Sequence, residues 1–300
     1  MDKLSTNWEE HLKRLEGAYA ANTIKSYYAD ISQFVDWCRA RQLEPFPLTS
    51  GLAVAYLEHI QGRMAYPSIR RCLSALRRIH KLLELEDGTR GEDVHLTIRR
   101  IKRSKCLEQS QAAGINHGLL TRMIAAQPNS LAGIRNRALL SVGYDFLARR
   151  SELTSLRHGD LTFGAGGTLR GVIRRGKTDQ FGRGRLVFGS QRSSRLLGAW
   201  LKLKPAEVSP VFCAINHGSC LGRALCGRSV SEIIKGAAAK VKCAERPDDR
   251  DISDHSLRVG AAQDLLIRGY DTAAIMRAGG WTNMNTLSRY LRYAQHNIWE

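Results

Sequence analysis

The sequence predicts a mostly α-helical protein of two domains with one small antiparallel β-sheet. Apolar residues recur at helical spacing through most of the first hundred residues and again on both sides of segment 161–189. That segment alternates short β-prone runs with glycines, as hairpin strands do. Residues 103–117 show no clear period. We therefore expect a helical domain at 1–105, a linker at 106–117 and a second domain at 118–300.

The charge balance indicates a polyanionic partner. The chain has 46 Lys and Arg against 28 Asp and Glu, a net charge of +18. Nucleic acid is the commonest polyanion that such a protein binds. The excess is +5 in residues 1–105 and +13 in the remainder. Because no isolated tail carries the charge, folded surfaces in both halves are expected to contact nucleic acid.

A helix predicted to follow Pro67 and Ser68 and to end at about Leu85 has one apolar stripe and two basic flanks. The stripe at 3.6-residue spacing consists of Ile69, Leu73, Leu76, Ile79 and Leu83. The flanking cations are Arg70, Arg77 and Lys81 on one side and Arg71 and Arg78 on the other. Like charges two turns apart repel each other, and DNA phosphates would offset that cost. The alternative is a helix face that is merely solvated.

The cysteines and the N-terminus favour a cytoplasmic protein without metal or cofactor. Seven cysteines show no paired spacing, so a disulfide framework is not expected. Cys213, His217, Cys220 and Cys226 lie close together in sequence, but their spacing fits no common zinc pattern. Core or loop positions are the simpler interpretation. The charged N-terminus lacks the apolar core of a signal peptide, and no stretch has the ~20 apolar residues of a membrane helix.

Six residues in the second half follow one another in a recognisable order. Arg149 and its companion Glu152 lie in LARRSEL, Lys177 in RRGKT, His255 and Arg258 in HSLR, Trp281 in AGGW and Tyr290 in RYL. The ordered set resembles the catalytic motifs of the tyrosine recombinase (phage integrase) family. Trp281, where most of that family has histidine, makes the chain most similar to the Cre-like branch. The specific motifs cover roughly the C-terminal half, and the likeness over residues 1–105 is weaker.

The resemblance implies a role for each residue. Tyr290 is the expected nucleophile, with Tyr293 as the alternative, and His255 is its base or hydrogen-bond partner. Arg149 and Arg258 would clamp the scissile phosphate, since guanidinium groups match phosphate oxygens and stay charged. Trp281 would donate its indole N–H to the phosphate, or serve only as a core aromatic residue.

The remaining residues have two interpretations each. Lys177 is the expected general acid for the 5′-oxygen, or one of several hairpin cations. Glu152 would orient Arg149 or His255, or be an ordinary surface carboxylate. Arg150 and Arg175 are candidate DNA-backbone contacts, and Arg150 could also be an exposed cation.

The resemblance also implies the wider architecture and activity. We expect an N-terminal helical, SAM-like core-binding domain and an α-rich catalytic domain that form a C-shaped clamp on DNA. The reaction would be site-specific recombination through a 3′-phosphotyrosyl intermediate and a Holliday junction, independent of metal and ATP. The expected partners are double-stranded DNA with an inverted-repeat site and further copies of the chain, in a tetramer on two DNA sites. A bacterial, phage or plasmid origin would fit.

Other functions remain open at this point. A type IB topoisomerase or a telomere resolvase would use the same catalytic set without partner exchange or with hairpin products. A non-catalytic DNA-binding relative is the alternative outside the enzymes.

Overall fold

A computed structural model of the protein describes residues 7–105, 111–174, 184–241 and 251–294. The chain divides into two compact units, Met1–Gln109 and Ser110–Glu300. The division falls within the predicted linker 106–117. Lys177 and Arg175 lie outside the described residues. No helix in the described ranges is long and apolar enough to cross a membrane.

The described part of the first unit is helical around one apolar core. Its helices are α1 (Trp8–Lys13), α2 (Ala21–Arg39), α3 (Ser50–Gln61), α4 (Tyr66–Leu83) and α5 (Glu92–Ser104). Pro67 lies in the first turn of α4, where its missing N–H leaves no hydrogen bond unmade. The predicted stripe of α4 faces the core, with Leu83 partly buried and the other four residues buried.

The second unit packs helices around a three-stranded sheet. Its helices are α6 (His117–Ala125), α7 (Leu131–Asp145), α8 (Arg150–Ser155), α9 (Gln191–Leu203), α10 (Gly227–Lys240), α11 (Ser256–Ile267), α12 (Thr272–Gly279) and α13 (Met284–Leu291). Helix α7 is buried over most of its length and packs against α9 and α11. The mostly helical fold with a small sheet is confirmed.

The predicted sheet lies where the glycine pattern placed it. Strands β1 (Leu161–Phe163), β2 (Leu169–Ile173) and β3 (Arg185–Gly189) are antiparallel in that order. Alternate residues of β2 are buried, so one face of the sheet packs on the core. Lys177 lies between β2 and β3 in the sequence.

The prediction of a single sheet was incomplete. Strands β4 (Cys213–Asn216) and β5 (Ser219–Ala224) form a second, antiparallel pair. The two turn residues, His217 and Gly218, both have positive φ, which is the backbone of a type I′ turn. The glycine was a signal for this turn, but histidine at the first turn position is not a common one.

The cysteines near this hairpin have separate structural places. Cys213 is buried and Cys220 is partly buried on the partner strand. Cys226 caps α10, where its Sγ accepts a hydrogen bond from the Ser229 N–H at 3.4 Å. Within the described ranges, no group of three or more His, Cys, Asp or Glu side chains is arranged to hold a metal ion.

The described end of the predicted linker is part of the second unit. The Ala113 N–H donates to the Asp251 carbonyl at 3.0 Å, and the Ile115 N–H donates to the Ser256 carbonyl at 2.9 Å. Ile115 is fully buried. Residues 111–116 therefore form an extended segment of the second unit that is bonded to the chain around the start of α11 and leads into α6.

Candidate active site

Arg149 and Glu152 are joined at the start of α8. Arg149 is the residue before the helix, and Glu152 is 1% exposed. One carboxylate oxygen of Glu152 accepts from the Arg149 backbone N–H at 2.9 Å, and the other accepts from Arg149 Nη1 at 2.7 Å. The burial of Glu152 excludes the alternative of a surface carboxylate. The carboxylate instead fixes both the backbone and the side chain of Arg149.

His255 and Arg258 lie one turn apart at the start of α11. Arg258 is fully buried, and its Nη1 donates to the Leu147 carbonyl. Its Nε and Nη2 have no hydrogen-bond partner among the described residues. Burial, reinforced by the nearby positive charge of Arg149, lowers the pKa of Arg258 to about 10. A buried cation with two unpaired donors is costly unless an anion binds there.

Trp281 lies beneath this arginine. Its ring centroid is 3.8 Å from the Arg258 guanidinium carbon, within the range of a strong cation–π contact. Gly280 ends α12 in the left-handed conformation and lets the chain turn toward the site. A Cβ on Gly279 would lie 1.8 Å from the Trp281 ring, so the indole fits only against glycine. Trp281 is 5% exposed and belongs to the apolar core of the second unit, as the interpretation of a core aromatic residue predicts.

Tyr290 lies on α13, which Leu287 anchors in the core. Its ring packs edge-on to Trp281, with the centroids 5.0 Å apart. The Tyr290 hydroxyl is 3.5 Å from His255 Nδ1, which is long for a hydrogen bond. Tyr293 lies after the end of α13 and is 43% exposed, with Arg292 5.7 Å from its ring. This geometry favours Tyr290 over Tyr293 as the nucleophile.

Burial lowers the pKa of His255, and positive charges on Arg258, Arg149 and Arg150 add to the shift. The negative charge of Asp254 opposes it. The imidazole is therefore neutral at pH 7 and can accept a proton. Arg150 itself is ion-paired with Asp254 at 3.5 Å, and its side chain is 47% exposed. That exposure leaves Arg150 accessible to a DNA backbone.

Arg185 belongs to this site, although no sequence motif singled it out. Its Nη2 donates to Glu152 at 2.7 Å, and its Nη1 donates to the Phe146 carbonyl at 2.9 Å and to the Ala278 carbonyl. Its position in the predicted hairpin segment was the only feature of the sequence that could have suggested a role in the site. The structure thus brings together Arg149, Glu152, His255, Arg258, Trp281 and Tyr290, with Arg185 behind Glu152.

The predicted DNA-binding residues of the first unit lie on α4. Arg77, Arg78 and Lys81 border a groove of about 540 Å³ that Arg90 also lines. Arg77 donates to Thr89 Oγ1 at 2.8 Å, and Arg78 lies 5.1 Å from the Tyr19 ring. Both cations are held in place while the groove stays open.

Arg70 and Arg71 differ in their surroundings. Arg70 is exposed. Arg71 donates to both carboxylate oxygens of Asp30, at 2.8 and 2.9 Å, and Asp30 is 3% exposed. Arg71 therefore has a structural partner in addition to any contact with DNA.

Comparison with known proteins covers both units. The model of the phage integrase family matches residues 115–297, and that of the phage integrase N-terminal SAM-like domain matches residues 6–87. Recombinase Cre of Escherichia phage P1 is 25% identical, over 92% of this chain and 85% of the relative. An integrase/recombinase XerD homolog of Selenomonas ruminantium is 27% identical, over 96% and 86%.

Solved structures share the fold. The XerH site-specific recombinase bound to a palindromic difH substrate, in a post-cleavage complex, aligns with a TM-score of 0.69 at 17% identity, over 97% of this chain and 82% of that one. A lambda integrase dimer bound to a COC′ core site aligns with a TM-score of 0.63 at 14% identity, over 99% and 80%. At such identities the likeness concerns the fold alone.

Proposed function

The chain belongs to the phage integrase family, and on that premise we propose that it is a site-specific tyrosine recombinase with Tyr290 as its nucleophile. One observation carries the assignment of the site. Arg258 is a buried cation with two unpaired N–H donors, stacked on Trp281 beside the Tyr290 ring. Such a group is stabilised by an anion, and the scissile phosphate supplies one.

The first chemical step is an in-line attack on phosphorus. Tyr290 Oη forms the new O–P bond while neutral His255 accepts the phenolic proton. Arg149 and Arg258 hold the non-bridging oxygens as negative charge builds on them. The bond from phosphorus to the 5′-oxygen breaks, and Lys177 protonates that oxygen. The product is a 3′-phosphotyrosyl ester with a free 5′-hydroxyl.

The second step reverses the first with a different strand. A 5′-hydroxyl from a partner duplex attacks the phosphotyrosyl ester and displaces Tyr290. The ester keeps the energy of the original phosphodiester, so the exchange proceeds without ATP. Paired exchanges pass through a Holliday junction, which a tetramer on two DNA sites would hold together. The substrate is double-stranded DNA with an inverted-repeat site, contacted by Arg150, by Arg175 and by the basic residues of α4.

Recombination is favoured over the other uses of this chemistry. Two relatives that the chain matches over most of its length are named as recombinases. The filled set of Arg149, His255, Arg258, Trp281 and Tyr290 argues against a non-catalytic DNA-binding protein.

A plasmid assay tests the proposal. The plasmid carries two directly repeated copies of the DNA that the protein binds at its own genomic locus. We expect the wild-type protein to excise the intervening circle and the Tyr290→Phe variant to bind the site without excising it. Relaxation of supercoiled DNA lacking the site would support a topoisomerase instead. Specific binding with neither product would contradict catalysis.

A further inference from the structure

We propose that Arg185 is a positioning residue, which balances the charge of Glu152 so that Arg149 stays available to the scissile phosphate. The inference rests on the proposed function and deepens it, because it adds a residue outside the recognised motif set. Arg185 acts through Glu152 and Arg149 and does not touch the reacting atoms.

The contacts of Arg185 place it behind the site. Its side chain is 12% exposed, compared with 71% for Arg174 at the other end of the hairpin connection. Its two Nη groups donate to the Glu152 carboxylate and to the Phe146 and Ala278 carbonyls. These donors are directed at protein groups, so the side chain is poorly placed to bind DNA.

The same contacts join three parts of the catalytic site. Phe146 precedes the turn that leads to Arg149, Glu152 holds Arg149, and Ala278 lies at the end of α12, just before Trp281. Gly280 also packs closely, since a Cβ there would lie 2.8 Å from Arg185 Cδ. Arg185 is the first residue of β3, so these contacts tie the start of this strand to the site.

The charge argument concerns Glu152. This buried carboxylate lies between two guanidinium groups, with one oxygen 2.7 Å from Arg149 Nη1 and the other 2.7 Å from Arg185 Nη2. In a site of low dielectric, an unbalanced carboxylate attracts its remaining cation strongly. Without Arg185, Glu152 would hold Arg149 more tightly and reduce the positive charge that Arg149 offers to a phosphate. With Arg185 in place, the trio keeps a net positive charge.

The test uses Arg185→Met in the full-length protein. Single-turnover cleavage is measured on a nicked suicide substrate with an ordinary scissile phosphate and on one with a neutral methylphosphonate at that position. On the ordinary phosphate we expect Arg185→Met to cleave about 10- to 100-fold more slowly than the wild type, because a buried charged group is left unbalanced. The methylphosphonate needs no charge neutralisation. On that substrate the ratio of the wild-type cleavage rate to that of Arg185→Met should be several-fold smaller. DNA binding should stay within about twofold, as binding is dominated by other phosphate contacts.

A merely structural role gives a different result. If Arg185→Met loses the same factor on both substrates, Arg185 does not act through the charge of Arg149 and the inference is wrong. Arg174→Met is the matched control, because Arg174 is also ion-paired with a carboxylate, Asp160, but is exposed. It should cleave both substrates like the wild type. Absence of adduct with the wild-type protein would instead count against the proposed function.

A second variant keeps the test informative if Arg185→Met folds poorly. Adding Glu152→Gln removes the charge that Arg185 balances. The double variant should therefore fold stably, and its cleavage rate should be higher than that of Arg185→Met alone. Equal defects in the single and the double variant would overturn the charge argument. Thermal unfolding of each variant separates loss of folding from loss of cleavage.

Discussion

The guanidinium carbon of Arg258 lies 3.8 Å from the centre of the Trp281 ring. The indole therefore supports the buried arginine from below, in addition to any hydrogen bond that its N–H makes to a phosphate. We expect Trp281→Ala to slow DNA cleavage about 30-fold, since a desolvated cation–π contact contributes about 2 kcal/mol. Trp281→Phe keeps an aromatic ring under Arg258, so its cleavage rate should fall by less than about tenfold. If both variants lose equally, the N–H matters and the stacking does not.

Two glutamine amides hold the backbone of the nucleophile. Gln263 and Gln111 donate to the Tyr290 carbonyl at 3.0 and 3.2 Å, near the end of α13 where helix carbonyls lack partners. Gln263→Met should reduce the cleavage rate by roughly fivefold, the value of one net hydrogen bond. Gln191→Met, at an exposed site, is the control and should leave the rate unchanged. An unaffected rate in Gln263→Met would show that the amide does not position Tyr290.

The pH dependence of cleavage follows from His255. Its pKa is lowered by burial and by Arg258, Arg149 and Arg150, against the opposing charge of Asp254. The neutral form is the proton acceptor, so kcat/KM for cleavage should be constant at neutral pH and fall as the pH drops. The midpoint should lie below about 6.5, the ordinary histidine value.

His255 should also make the stability of the folded protein decrease as the pH drops, in the same direction as the cleavage rate. A histidine whose folded pKa is lowered favours the folded state above its unfolded pKa, and that contribution is lost as the pH falls through the folded pKa. His255→Gln should remove the histidine step from the cleavage profile. A midpoint above 6.5 in the wild type, or an identical step in His255→Gln, would contradict the assignment.

Arg71 and Arg78, which lie on the same flank of α4, should respond differently to mutation. Arg78→Ala is expected to weaken DNA binding with little change in folding. The slope of log Kd against log salt concentration should fall by about 1, as expected when one phosphate contact is lost. Arg71→Ala should also destabilise the protein by about 1–3 kcal/mol, because it leaves the buried Asp30 without its partner. Arg39→Ala, at an exposed ion pair on α2, serves as the control. Equal salt dependence in Arg78→Ala and Arg39→Ala would remove Arg78 from the interface.

Periodicity predicted the helical elements well because their faces are buried as the pattern requires. The stripe of Ile69, Leu73, Leu76 and Ile79 faces a core, and glycine spacing predicted strands β1 to β3. The β4–β5 hairpin was missed, since its signal is a two-residue turn with histidine in a left-handed conformation. Helix α4 ends at Leu83, two residues before the predicted end, because Glu84 adopts a left-handed conformation that stops the helix.

The site was predicted as a set of motifs, and its assembly came from the fold. Motif order pointed to Arg149, His255, Arg258, Trp281 and Tyr290 without distances between them. Arg185 could not be selected from several nearby arginines, because its partners lie 33 and 93 residues away along the chain. Pairings at such separations depend on how the strands and helices pack, which local patterns do not encode.

The identity of the nucleophile is tested most directly by mapping the covalent adduct. The wild-type protein is trapped on a nicked suicide substrate, digested with a protease and analysed by mass spectrometry for the peptide that carries nucleotide. We predict that the modified residue is Tyr290, that Tyr290→Phe forms no adduct, and that Tyr293→Phe forms it like the wild type. An adduct on Tyr293, or one that persists in Tyr290→Phe, would contradict the account.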